Sequence, residues 1–211
     1  MIRVMSDIIH DLKSVLPEGS WRSHRLDRGA LLFRQGDRPL SLFGLEAGRV
    51  DLMRWTAGGS AVRLHSAGAG ETLAEASLFS DSYHCDAVVR ADGCATAFSM
   101  QAVRQACDRS PDLAFALMRH LSTGLRDARR IIELRSIHPL PDRLLARLAE
   151  CADDRGELPP GLLMKDIAQE IGATPEATYR AAGALVKAGT LLRLDRGRYR
   201  LTAAKKAKPG Y

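Results

Sequence analysis

The segment LMKDIAQEIGATPEATYRAAGALVKAG, residues 163–189, carries the pattern that decides the fold. Apolar residues at helical spacing predict two short helices, from about Leu163 to Ile171 and from about Pro175 to Ala188. Gly172 opens the turn between them, and Thr174 is a natural N-cap for the second helix. Two short helices joined by a glycine-containing turn predict a helix-turn-helix, which places its second helix in the major groove of DNA.

The residues on both sides extend this motif. Before it, the stretch from Asp142 to about Ala152 has an amphipathic helical pattern. After it, LLRL and RYRL are two short apolar-basic runs separated by Asp195-Arg196-Gly197, and a break of this kind predicts a β-hairpin. A hairpin directly after the second helix would make the motif winged.

The distribution of charge points to an anionic partner. The formal net charge of the 211-residue chain is +6. Residues 177–211 contain nine basic side chains and one acid, so the rest of the chain is slightly negative. A solvated surface usually mixes both signs, whereas one basic end favours nucleic acid.

The N-terminal half has a different pattern of apolar and polar residues. Residues 4–16 have a helical pattern, and from Trp21 to about Met100 short apolar runs alternate with turn signals. This alternation predicts an antiparallel sandwich or barrel. We expect positive φ angles at the glycines in its breaks, which are Gly29, Gly36, Gly48, Gly59 and Gly70.

A long helix is predicted between the two halves. Ser110 is its expected N-cap, and it runs to about Ile137, where Pro139 and Pro141 stop it. Its apolar stripe is wider than one contact seam, which favours packing against a second copy of the chain; a helix packed only within its own chain is the alternative. The stripe includes Leu113, Leu117, Leu121, Gly124, Leu125, Ala128, Ile131, Ile132 and Leu134.

Glu176 and Arg180 are the candidate base-reading residues. They lie four residues apart and share one face of the second helix. A carboxylate can accept from cytosine N4, and a guanidinium can bind guanine O6 and N7; a surface ion pair between the two is the alternative. The residues expected to contact phosphates are Thr174, Tyr179, Lys187, Arg196 and Arg198.

Three stretches together resemble the cyclic-AMP receptor protein/Fnr (Crp/Fnr) family of bacterial transcription regulators. RGALLFRQGDRPLSLFGLEAGRVDL at 28–52 resembles the start of the family's sensor domain, GETLAEASLF at 70–79 its phosphate-binding cassette, and ELRSIHPLPDRLLARLAE at 133–150 the junction with its DNA domain. Within the recognition helix, Glu176 and Arg180 match the family pattern, whereas Pro175 departs from it.

The resemblance implies an α+β architecture in three parts. An antiparallel β-roll of the cyclic-nucleotide-binding type would occupy residues 1–109, a dimerisation helix residues 110–138, and a winged helix-turn-helix residues 139–211. It further implies a cytoplasmic homodimer that binds a two-fold symmetric site in double-stranded DNA, with RNA polymerase as a candidate partner. No membrane association is expected, because no apolar run approaches the length of a bilayer span.

The cassette departs from that of cyclic-nucleotide-binding members. Glu75 matches the family's ribose-binding glutamate, but Ala74 replaces a glycine, Cys85 stands where the phosphate-binding arginine belongs, and Asp86 stands at the hydroxyl position. A carboxylate at that position would repel a phosphate. We therefore expect a degenerate effector pocket that does not bind cyclic AMP.

Other forms of sensing stay open. The positions that meet the base in cyclic-AMP binders align with Ala128 and Arg129. His84, Cys85 and Asp86 could respond to a metal or an oxidant, although a loop tip with incidental polar residues is the simpler interpretation. An unidentified metabolite could also act through this pocket.

No enzyme, metal site or cofactor is predicted. The chain lacks the G-x-S-x-G, P-loop, H-E-x-x-H and G-x-G-x-x-G motifs, and its four cysteines have no metal-ligand spacing. We therefore assign no catalytic residue and interpret the cysteines as free thiols. A sensor-scaffold that acts mainly through protein partners is the remaining alternative to a DNA-binding regulator.

Overall fold

The computed structural model describes residues 8–56, 58–194 and 198–202. The chain divides into two compact units, Met1–Gly124 and Leu125–Tyr211, and the division falls inside a long helix. The three-part division at residues 109 and 138 stays a prediction. No helix within the described residues is long and apolar enough to span a membrane.

The N-terminal unit is a β-roll flanked by helices. It begins with helix α1, and its strands follow in chain order up to helix α2. A short 3-10 turn, Glu75–Ser77, interrupts the strand region. The elements are α1 (Ile8–Val15), β1 (Trp21–Leu26), β2 (Leu31–Phe33), β3 (Ser41–Trp55), β4 (Ala61–Ala67), β5 (Thr72–Leu73), β6 (Asp86–Ser99) and α2 (Met100–Arg109).

The six strands form one antiparallel sheet. Its main path is β1-β6-β3-β4, while β2 pairs with β6 and β5 pairs with β3. The predicted antiparallel architecture is therefore confirmed. The five glycines expected at the breaks all have positive φ, between 78° and 94°. Gly93 serves a different purpose, because a Cβ there would collide with the carbonyl oxygen of Ala47 where β3 and β6 come close.

The core of this unit lies inside the roll and under α1 and α2. Leu42, Leu45 and Phe98 are fully buried in it. Helix α1 packs closely on the sheet, since a Cβ at Gly44 would lie 2.7 Å from the side chain of Ile9. Large apolar residues with few aromatics thus fill the core.

Helix α3, Pro111–Ser136, follows α2. As predicted, Ser110 caps it: the backbone N–H of Leu113 donates to Ser110 Oγ at 3.3 Å. The helix ends one residue earlier than expected. Pro141 does not contribute to this end but lies in the first turn of the next helix, where a missing N–H costs nothing.

The C-terminal unit contains the predicted helix-turn-helix and hairpin. Its helices are α4 (Leu140–Cys151), α5 (Met164–Glu170) and α6 (Pro175–Lys187), and its strands are β7 (Leu191–Arg193) and β8 (Tyr199–Leu201). The two strands pair antiparallel. The predicted turn Asp195–Gly197 lies outside the described residues. A second, separate core holds this unit together, with members such as Leu144, Leu148, Ile167 and Leu185.

Candidate DNA-reading helix and sensor pocket

Small residues let α5 and α6 pack closely. Ala168 on α5 and Thr178 on α6 are fully buried, and Ala181 on the inner face of α6 is 5% exposed. The hydroxyl of Thr178 donates to the carbonyl oxygen of Thr174 at 2.9 Å, so this buried polar group is satisfied within its own helix. Small side chains at these inner positions thus allow close contact between the two helices.

The start of α6 is fixed by its cap. The backbone N–H of Ala177 donates to Thr174 Oγ1 at 3.2 Å, and Pro175 takes the first helical position. This geometry was predicted from the sequence. In this cap the hydroxyl oxygen of Thr174 accepts a hydrogen bond, so the hydroxyl hydrogen of Thr174 is still able to donate to a phosphate.

Glu176 and Arg180 are exposed on the outer face of α6, in its N-terminal half. Neither side chain makes a hydrogen bond or ion pair with any residue in the described ranges. The surface ion pair considered as an alternative does not form. Two opposite charges on one face therefore have no partner within the described ranges.

Three of the predicted phosphate contacts are exposed. Tyr179, Lys187 and Arg198 are all exposed. Arg196 lies outside the described residues. Two of the exposed residues, Lys187 and Arg198, are basic and lie after Arg180 in the sequence.

Sequence reasoning missed the residues that hold α5 in place. Arg135 Nε donates to the carbonyl oxygen of Glu170 at 3.4 Å. Arg147 donates to the side chains of both Glu170 and Cys151. The contacts to Glu170 link residues 23 and 35 positions apart, so no local pattern could have predicted them.

The cassette keeps a strained backbone at Ala74. This residue has φ 70° and ψ 10°, the left-handed region, and it is the only non-glycine with positive φ in the described part of the chain. It precedes the 3-10 turn that begins at Glu75. The backbone path that glycine favours is thus retained although glycine is absent, at a cost of about 1–2 kcal/mol.

Glu75 leaves a buried acceptor unused. Its Oε2 atom is buried and accepts no hydrogen bond from the described residues, and the same is true of Ser77 Oγ in the same turn. Buried polar atoms of native proteins nearly always have a partner. The cassette therefore presents acceptors that the described residues do not use.

Cys85 and Asp86 are both engaged in the fold. Cys85 is fully buried, and burial raises the pKa of its thiol to about 11. Asp86 accepts from the backbone N–H of Gln35 at 2.8 Å and from the indole N–H of Trp55 at 3.0 Å. The first is a protonated thiol and the second a carboxylate, so neither position offers the cation that a phosphate needs.

Asp51 is a buried carboxylate that the sequence did not single out. It is 4% exposed, and its Oδ2 accepts from Arg90 Nε at 2.9 Å and lies 3.5 Å from an Arg63 nitrogen. Its Oδ1 has no partner among the described residues. Nearby, the hydrogen bond from His65 to Glu71 raises the pKa of His65.

Residues 23–110 match the family model of the cyclic nucleotide-binding domain. A mutant of CooA from Carboxydothermus hydrogenoformans has a TM-score of 0.71 at 18% identity, with 94% of this chain and 93% of that chain covered. The regulator CLP of Xanthomonas campestris has a TM-score of 0.65 at 19% identity, with 93% of this chain and 98% of that chain covered. A transcriptional regulator of the CRP/FNR family from Thermus thermophilus has a TM-score of 0.58 at 21% identity, with 87% of this chain and 95% of that chain covered. No protein of curated function matches the sequence significantly.

The chain has the Crp/Fnr fold. The match to the cyclic nucleotide-binding domain includes the cassette from Ala74 to Asp86. The departures from the family pattern at Ala74, Cys85 and Asp86 stay predictions from the sequence. The resemblance stated from the sequence is confirmed for the fold.

The remaining predicted pocket residues belong to the other unit. Ala128 and Arg129 lie in the part of α3 assigned to Leu125–Tyr211, and both are exposed on that helix.

His84, in the N-terminal unit, is exposed, whereas its neighbour Cys85 is buried. Within residues 8–56, 58–194 and 198–202, no three His, Cys, Asp or Glu side chains are grouped as metal ligands. The roles of these residues in the Crp/Fnr fold stay predictions.

Proposed function

We propose that the chain is a sequence-specific, homodimeric DNA-binding transcription regulator of the Crp/Fnr type that does not depend on cyclic AMP. The observation that carries this proposal is the outer face of α6. There, a capped helix exposes Glu176 and Arg180, and neither charge is paired within the described residues. Binding of these two charges to a ligand would break no contact with a described residue.

DNA suits this face chemically. Arg180 would donate two hydrogen bonds to a guanine, and Glu176 would accept from a cytosine amino group. Thr174, Tyr179 and Lys187, with the hairpin arginines 196 and 198, would contact phosphates and fix the orientation of the helix. Phosphate contacts release counterions, so binding is expected to weaken steeply as salt rises.

Helix α3 supports a dimer. Met118, Leu121, Leu125, Ala128 and Ile132 follow one another at spacings of three and four residues, which is the seam of a coiled coil. The four large members are between 38% and 66% exposed. A Cβ at Gly124 would meet no atom within 4 Å, so a second helix has room to approach there. A second copy of α3 would cover this seam.

The cassette supports the proposed independence from cyclic AMP. A buried, protonated Cys85 cannot bind a phosphate as a guanidinium does, and Asp86 adds negative charge. Thiol oxidation is a poor alternative signal, since the reactive species is the exposed thiolate. Action in the cytoplasm, with RNA polymerase as partner, remains part of the proposal.

Selection of the ligand-free protein on randomised duplex DNA tests the proposal. Enrichment of a palindrome with half-sites about one helical turn apart would support it. Arg180→Ala should weaken binding to that site by about 1–3 kcal/mol and relax one base position. Arg104→Ala, which removes an exposed arginine of α2, is the matched control and should leave affinity unchanged.

Two results would count against the proposal. An affinity for the selected duplex no better than for random DNA would favour the protein-partner scaffold. Equal weakening by Arg180→Ala on all sequences would assign Arg180 to a phosphate instead of a base.

A further inference from the structure

A glycine lies inside the helix that carries Glu176 and Arg180. Gly183 belongs to the C-terminal half of α6, Pro175–Lys187. Glycine is the poorest helix former after proline, because the unfolded chain is freest where there is no side chain. Within the described residues, the only other glycine inside a helix is Gly124, in the exposed seam of α3. An alanine at position 183 would therefore make α6 more stable.

Packing within the chain does not explain Gly183. A Cβ at this position would meet no atom within 4 Å. Glycines that allow two segments to come close show the opposite: a Cβ at Gly44 would lie 2.7 Å from Ile9, and one at Gly93 would collide with Ala47. No contact with a described residue thus requires the side chain at position 183 to be absent.

Gly183 lies on the same face of α6 as the candidate base-reading pair. Glu176, Arg180, Gly183 and Lys187 follow one another at spacings of four, three and four residues, which places them in one stripe along the helix. All four are exposed. The buried residues of α6 lie on its opposite side and are Thr178, Ala181, Ala182 and Leu185.

Four larger side chains surround this position. Tyr179, Arg180, Val186 and Lys187 lie three or four residues from Gly183, so they are its neighbours on the helix surface. Tyr179 is 56% and Val186 37% exposed. The backbone at Gly183 is thus the floor of a notch between these four side chains. The Tyr179 hydroxyl and the Lys187 ammonium are donors that suit a phosphate oxygen.

The dimensions of DNA indicate what would fill this notch. The N-terminal residues of a recognition helix meet base edges. Gly183 follows Glu176 by seven residues, or about 10 Å along the helix axis, and the major groove is about 12 Å wide. A face that starts at the bases therefore reaches the edge of the groove near Gly183, where the sugar-phosphate strand runs.

We propose that one sugar-phosphate strand of the DNA passes directly over Gly183, between Tyr179 and Lys187. A side chain at position 183 would fill the notch and hold α6 away from the groove. Gly183 is then a positioning residue, because it acts through the contacts that its neighbours make. This inference rests on the proposed function and adds to it a reason for a glycine that weakens the helix.

Two substitutions in the full-length protein test this role. Gly183→Ala and Gly183→Leu should both raise the melting temperature, because both residues favour a helix and no described atom stands in their way. Both should weaken binding to the duplex selected from randomised DNA, measured by fluorescence anisotropy. We expect a loss of about tenfold or more for leucine and a smaller loss for alanine, with a salt dependence reduced by about one released counterion if Lys187 leaves its phosphate. A purely structural role would not change stability and affinity in opposite directions.

Ala188→Leu is the matched control. It adds a leucine at an exposed position of the next turn, about 140° around the helix from Gly183. The added side chain would point away from the stripe that contains Glu176 and Arg180. We expect the affinity of this variant for the selected duplex to equal that of the wild type.

Three outcomes would overturn the inference. They are wild-type affinity in Gly183→Leu, a lower melting temperature in Gly183→Ala, and equal loss of affinity in Gly183→Leu and Ala188→Leu. Wild-type protein that binds selected and random DNA equally well would refute the proposed function together with this inference. Wild-type protein that prefers the selected duplex, with unchanged affinity in Gly183→Leu, would refute the role of Gly183 alone.

Discussion

Arg143 in α4 donates from Nη1 to the carbonyl oxygen of Ile171, the C-cap residue of α5, at 2.9 Å. Its Nε donates to the carbonyl oxygen of Ile137 at the same distance of 2.9 Å. The last carbonyls of a helix have no partner inside it, so the guanidinium satisfies one of them. One half-buried side chain thereby joins three backbone segments of the C-terminal unit.

Replacement of this side chain should loosen the turn before α6. Arg143→Met retains much of the apolar stem but removes the guanidinium donors, and we expect a loss of about 2–3 kcal/mol in the free energy of unfolding. Hydrogen exchange at the amides of α5 should accelerate. Arg155→Met, at an exposed arginine of the same unit, should change stability by less than about 0.5 kcal/mol. Equal effects of the two changes would contradict this role.

The strain at Ala74 has a measurable consequence. In Ala74→Gly, relief of the left-handed conformation, about 1–2 kcal/mol, opposes the loss of a buried methyl, about 0.8 kcal/mol, and the greater freedom of the unfolded chain, about 0.4–1 kcal/mol. We expect a net change near zero in chemical denaturation. Ala95→Gly, in the buried part of β6, releases no strain and should destabilise by about 1–2 kcal/mol. If Ala74→Gly instead lowers the free energy of unfolding as much as Ala95→Gly does, the backbone at position 74 is not strained.

Cys85 should resist alkylation in the folded protein. Its thiol is fully buried and has a pKa of about 11, so the thiolate is scarce at neutral pH. Peptide mapping after iodoacetamide treatment should show the partly exposed Cys94 modified well before Cys85, and all four cysteines modified in denaturant. Early modification of Cys85 would mean that the roll opens readily around it.

The same thiol makes stability depend on pH. The pKa of the thiol is about 9 in the unfolded chain and about 11 in the folded one, so the folded chain holds this proton to higher pH. Its contribution to stability is therefore present below about pH 9 and falls between those two values. Cys85→Ala should flatten this part of the stability curve. An unchanged slope would mean that the thiol titrates normally in the fold.

The proposed dimer depends on the exposed seam of α3. Leu125→Glu places a charge where a second helix would bury a leucine, and we expect analytical ultracentrifugation to show monomers. Arg119→Glu introduces the same residue at an exposed position of α3 outside the seam and should leave the dimer intact. Dimers in both variants would place the contact elsewhere on the chain.

Local signals explain why the helix-turn-helix was predictable. Gly172 in the turn, Thr174 as cap and Pro175 at the first helical position all act within a few residues of the boundary they set, and the structure places α6 within one residue of its predicted end. The fully buried Ala168 and Thr178 follow from the helical period alone.

Contacts between distant segments explain what was missed. Asp51 resembles an ordinary polar residue of a strand, and only its pairing with an arginine 39 positions away reveals a buried carboxylate. Asp86 was considered for its charge, but its bonds to Gln35 and Trp55 depend on the register of β2 and β3 with β6. The left-handed Ala74 was equally hidden, because alanine gives no signal for that conformation.

Pro175, at the first position of α6, limits how much sequence the proposed regulator can discriminate. Its ring has no hydrogen-bonding group to offer a base, so the two charged side chains proposed to read bases would supply the discrimination, each worth about 1–3 kcal/mol. A genome offers roughly 10⁶–10⁹ competing sites, against which a short half-site yields many near-matches. Occupancy of any single promoter would therefore follow the number of protein copies in the cell more closely than small differences in operator sequence.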